Sequence, residues 1–146
     1  MQAVSVRDRQ SRSAVRAMAA IAGAVMAGLA VFEIALAAGL PWGAAAWGGG
    51  QSVLSPGMRI ASVGAAAIWI VGLLAVLRRG EHRVWSLLPD RWLGATVWII
   101  AAYSTLMILA NGASSSGAER ALMTPASVIL TVTCVFVARV GRGGRP

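Results

Sequence analysis

Four apolar runs, each bracketed by charged residues, constrain this chain more than any other feature. The first lies between Arg16 and Pro41 and is broken only by Glu33. Arg59 and Arg78 bracket the second, Arg91 and Glu119 the third, Arg120 and Arg139 the fourth. Uncharged runs of ~18 or more residues mark membrane-spanning helices, and 18 residues at 1.5 Å each reach ~27 Å, close to a ~30 Å hydrocarbon core. Charged residues make up 12% of the 146, against ~25% in soluble domains. The expected fold is all-α: an antiparallel four-helix transmembrane bundle with spans near 17–40, 60–77, 92–111 and 121–138. Short connections set consecutive helices antiparallel. The polar tail over residues 1–15 is expected to be disordered or to lie on the surface, and residues 141–146 form a basic tail.

Charge sets the threading. All thirteen basic residues are arginines. Eleven fall on one side of the four runs: Arg7, Arg9, Arg12, Arg16, Arg78, Arg79, Arg83, Arg91, Arg139, Arg142 and Arg145. Only Arg59 and Arg120 fall on the other, so the positive-inside rule puts both termini in the cytoplasm. A net charge of +8 raises nucleic acid as a partner, but these tails are too short to display stacking aromatics on a folded surface. Anionic lipid head groups explain the arginines more simply. Membrane lipids are the expected partners, and nucleic acid is not.

Motifs for chemistry are sparse. No Ser–His–Asp arrangement, HExxH or P-loop is present, so no catalytic residue is assigned. The one histidine, His82, is read as solvated or lipid-facing; alone it makes no zinc or haem site. No metal or cofactor is expected. Cys134 is read as a small buried thiol. A basic leader, an apolar run and Ala35–Ala37 fit a crude signal-peptide pattern, yet the run exceeds the usual ~7–15 residues and Glu33 interrupts it.

Local signals suggest how the helices pack. Ala20, Ala24 and Gly28 form a small-xxx-small series, read as general packing, with a homo-oligomer or larger membrane complex as the other use. In the uncharged loop 41–57, Trp42 and Trp47 are interface anchors, "WGGGQ" reads as flexible, and the whole as a surface loop. In "RRGEHRVWSLLPDR", Val84, Trp85 and Leu88 share one face of a short interfacial helix stopped by Pro89; Trp92 is a further anchor. Thr96, Ser104 and Asn111 in span three, and Thr124, Ser127, Thr131 and Cys134 in span four, form polar faces that are expected to meet. Ser116 and Glu119 make an S-x-x-E capping box. Pro125 kinks span four unless Thr124 is its N-cap.

Glu33 is the unusual residue. It lies about 10 Å below the outer end of its helix, where insertion scales reject Asp by roughly 2.5–3.5 kcal/mol. Arg59, Asn111 and Arg120 lie, like Glu33, in the outer third of their helices, with Glu119 next to Arg120 in sequence, so a polar cluster is expected in which Glu33 pairs with Arg59, Arg120 or Asn111. A proton- or cation-coupling role is the competing reading. Small multidrug transporters share four spans and one acid in span one, but their acid is not near the outer end, and antiparallel dimers need balanced loop charge. A membrane enzyme using Glu33 as an acid, with Trp69, Trp98 and Tyr103 lining an apolar pocket, is a third reading.

The stretches "FEIALAAGLPWGAAAWGG", "MRIAS" and "NGASSSGAERALMTP" resemble a group of small four-span membrane proteins from GC-rich actinobacteria. The resemblance covers Phe32 to Pro125. It implies a threading and a bacterial plasma membrane, but no chemistry. The expected function is therefore a membrane scaffold, accessory subunit or lipid-binding protein organised around the outer polar cluster, with a proton-coupled transporter using Glu33 as the alternative.

Overall fold

The computed structural model describes residues 2–141. Arg142 and Arg145 of the expected tail lie outside the described residues, as does the side chain of Arg7. The chain forms four helices, α1 (Gln2–Ala38), α2 (Pro56–Arg79), α3 (Asp90–Gly112) and α4 (Gly117–Val140). Among the described residues there is no strand. All four helices are long and apolar enough to cross a membrane. Consecutive helices run antiparallel, α1 packing most closely on α2 and α3 on α4; α1 also meets α4, and α2 lies more loosely against α3. Both described termini and the α2–α3 connection thus lie at one end, the tail end. The α1–α2 and α3–α4 connections lie at the other, the cap end.

Residues 2–15 belong to α1, which begins at Gln2, and residues 8–13 are exposed. No Gly or Pro interrupts this segment, and Ala, Arg and Gln sustain helix. Val15 is already buried.

The tail half holds the main core. Ala19, Ala22 and Met26 of α1 meet Val76 of α2, Val97 and Ala101 of α3, and Leu130, Cys134 and Val137 of α4. Small residues let the backbones close, as packing in lipid demands. A Cβ on Gly80 would collide with Ala19. The series Ala20, Ala24 and Gly28 does not do this work. All three are exposed, and nothing lies within 4 Å of a Cβ built on Gly28.

The α2–α3 connection is also corrected, for residues 81–89 contain no helix. Their backbone groups are engaged elsewhere. Glu81 sits at φ 65°, which ends α2, and the His82 amide donates to Leu77 O. Arg78 Nη1 donates to Val84 O, and Leu88 N to Ser86 Oγ. His82 is not merely solvated: its Nε2 lies 2.9 Å from Arg16 O. A carbonyl only accepts, so Nε2 carries the proton and ties the connection to α1. Arg78 pairs with Asp90 at 3.3 Å, an exposed ion pair of small energetic weight. Trp85 and Trp92 are exposed.

Candidate functional site

The cap end is organised by its helix termini. The amides of Gly39 and Leu40 donate back to Leu36 O and Ala35 O, a Schellman closure made possible by φ 93° at Gly39. Arg59 completes it, donating from Nε to Ala37 O at 2.7 Å. Its guanidinium lies over Gly39, where a Cβ would come within 3.3–3.4 Å. On the other hairpin, Ser116 caps α4 by accepting from Glu119 N at 3.2 Å. Glu119 does not reach back as a full capping box requires. Its Oε2 accepts from Ser114 Oγ at 2.5 Å, and Ser114 Oγ accepts in turn from Ser116 N. Pro125 lies inside α4, so Thr124 is not the N-cap.

Between these two caps lies the loop expected to be flexible. It is instead fixed against α4. Trp47, Gly48 and Gly49 take φ of 54°, 82° and 69° in succession. Only glycine adopts that region without strain, so the two glycines of "WGG" are conformational requirements. Gly48 N donates to Glu119 Oε1 at 3.4 Å, Ser116 Oγ donates to Ala44 O, and a Cβ on Gly49 would strike Ser116. Buried Ala46 and Leu54 pack on Leu36, Phe32 and Met58. Trp42 stacks on Phe32 with centroids 6.1 Å apart and stays half exposed. The Trp47 indole Nε1 donates to Ser62 Oγ at 3.2 Å.

Under this roof is a cavity of about 510 Å³ that takes residues from all four helices. Its wall is chiefly apolar and aromatic, including Phe32, Trp69, Ile100, Tyr103, Met107 and Met123. Its polar groups are Glu33, Ser104, Asn111, Glu119 and Ser127. Where α2 and α3 pack loosely, the lining residues Ile68 and Ile99 are 69% and 67% exposed. Toward the tail end the cavity is closed by Leu130 and the core beneath it.

The expected cluster thus divides. Glu33, Asn111 and Glu119 share the cavity, whereas Arg59 and Arg120 do not line it. No arginine makes an ion pair with Glu33 among the described residues. Arg59 is held by the carboxyl end of α1, where orphan carbonyls and the negative end of the helix dipole supply a nearer partner. Arg120 donates to Ser114 O. Asn111 donates to Ser127 Oγ at 3.2 Å, which joins the polar faces of α3 and α4 as their spacing suggests; Thr105 and Thr131 make the second link. Glu33 instead meets the side chains of Ser62 and Trp47, while its buried Oε2 has no hydrogen-bond partner. Ser104, 1% exposed, also lines the cavity with an unpartnered hydroxyl.

Ser62 was not singled out by sequence, though it is the only hydroxyl residue of α2. Gly48 and Ser114 left no signal, because their role depends on the contact between the two hairpin caps. Of the aromatics considered for an apolar pocket, Trp69 and Tyr103 line the cavity and pack together at 6.2 Å, but Trp98 does not line it. Comparison with protein-family models, curated proteins and solved structures found no match.

Proposed function

We propose that this chain is a multi-pass protein of the bacterial plasma membrane that binds an amphipathic ligand drawn from the bilayer. The cavity carries the reading. Its ~510 Å³ falls within the ~300–1,000 Å³ of small-molecule sites, with the usual apolar wall and few convergent polar groups. The exposed lining residues Ile68 and Ile99, where α2 and α3 pack loosely, suit a ligand entering sideways from the acyl region. The apolar floor favours binding over transport, since the core beneath leaves the site one-sided. The eleven-to-two partition of arginines favours a cytoplasmic tail end, with the cavity in the outer leaflet.

Mass spectrometry of lipids retained by the purified chain tests the reading. The expected result is a ligand that co-purifies with the native protein and is lost from Ala126→Leu, whose larger side chain intrudes on the cavity. Equal retention by both defeats it. Uptake into proteoliposomes driven by a pH gradient, and abolished in Glu33→Gln, would install the transporter instead. Single cysteines at Ser13, Ser52, Ser86 and Ser115, in a Cys134→Ser background, test the orientation. Positions 52 and 115 should label from outside; outside labelling at 86 overturns the threading.

A further inference from the structure

We propose that the ligand carries a positive charge, held between Glu33 and Glu119 beneath the Trp47–Gly48 roof. This rests on the binding reading above and specifies the ligand's chemical class: an apolar body bearing an ammonium- or phosphonium-like centre. Several independent observations point the same way.

The two carboxyl groups address adjacent residues of one loop. Glu33 meets the Trp47 side chain, and Glu119 Oε1 accepts from the Gly48 amide. They therefore converge at the cap end of the cavity. No Arg or His lines that cavity, and the chain contains no Lys. The two arginines of this end are committed to backbone carbonyls, Arg59 to Ala37 and Arg120 to Ser114. The chain thus provides two acids and no internal counter-charge in a low-dielectric setting, where an unpaired carboxylate is costly.

The site also has unused hydrogen-bonding capacity. Glu33 Oε2 is buried without a partner, and so is the hydroxyl of Ser104, a side chain 1% exposed. Buried polar groups are ordinarily satisfied, so both await a partner the chain does not supply. The remaining wall suits a cation too, because the faces of Trp47, Trp69 and Tyr103 attract positive charge. An anionic head group would meet two like charges, and a neutral ligand would leave both acids uncompensated. A lipid amine and a free lipophilic cation share the required chemistry.

The full-length chain in uncharged maltoside micelles can be titrated calorimetrically with tetraphenylphosphonium, and separately with tetraphenylborate, its anionic near-isostere. The expected result is saturable one-to-one binding of the cation and none of the anion. Glu33→Gln should weaken binding about tenfold or more, the scale of one lost charge-assisted contact; Glu119→Gln should do the same. Gln keeps one acceptor oxygen for Gly48 N and turns its amide to Ser114 Oγ as a donor. Should Glu119→Gln fail to fold, Glu33→Gln suffices, since no other part of the fold depends on Oε2. Competition by phosphatidylethanolamine, but not phosphatidylglycerol, would identify a lipid amine as the source; no competition by either would identify a free cation. Equal binding of cation and anion, or unchanged affinity in Glu33→Gln, overturns the proposal. If tetraphenylphosphonium fails while a neutral lipid still co-purifies in an Ala126-dependent way, the charge assignment falls and the binding reading stands. If neither probe binds and nothing co-purifies, both fall.

Discussion

In the tail half of the bundle, Ala19, Ala22, Val76, Val97, Ala101 and Ala138 draw four helices together around Met26 and Leu130. In the cap half the same helices stand around an empty space, and a loop with three left-handed residues closes the top. One half is filled and nearly without polar groups; the other is hollow and holds both intramembrane acids. Lipid tails are as apolar as a protein interior, so the chain gains stability only where packing is dense. Holding a cavity open in the cap half requires the tail half to supply the packing, and the caps to be fixed by hydrogen bonds.

The sharpest way to break this contrast is to truncate one methionine in each half. Met26→Ala in a water-soluble core would cost about 2–5 kcal/mol. Here the unfolded helices already rest in lipid, so only the packing share is lost, on the order of 2–3 kcal/mol. Met107→Ala, which enlarges a space already empty, should cost well under half as much. Thermal unfolding in detergent measures both, and equal losses would show that the halves are packed alike. Gly49→Ala comes next, at about 1–2 kcal/mol for the left-handed strain, with retained ligand falling in step. A variant with unchanged melting and retention would mean that the roof is not fixed. Glu119→Ala should cost about 1 kcal/mol, because the partners it releases, Gly48 N and Ser114 Oγ, lie near the surface and can be resolvated. Ala126→Leu should shift stability by less than about 0.5 kcal/mol while abolishing ligand retention. A large destabilisation there would mean that the cavity wall is already tightly packed.

The tail half was largely legible in the sequence. Apolar run lengths locate the spans, and antiparallel order follows from the short connections. The cap half was legible by depth but not by partner. Glu33, Asn111 and Glu119 do come to one place, because residues near the same ends of antiparallel helices must. Which groups they meet depended on competition that the sequence does not display. Arg59 had free carbonyls of α1 within reach before any carboxylate. The polar stripe of span four was readable, yet its link at Thr131 is Thr105, not Ser104. "WGGG" reads as slack by composition, whereas its glycines permit one definite path across the cap. The failed interfacial helix has the same origin: the pattern of Val84, Trp85 and Leu88 suits a helix, but Arg78 takes the Val84 carbonyl and His82 is tied to Leu77 O and Arg16 O.

The contact between Gly48 and Glu119 has a consequence for biogenesis. The first helical hairpin carries the roof and one acid; the second carries the other acid and the groups that hold the roof down. Neither hairpin alone can form the chamber, so a chain halted after α2 would expose Glu33 to lipid without its enclosure. That is a ready signal by which membrane quality control could tell an unfinished molecule from a finished one.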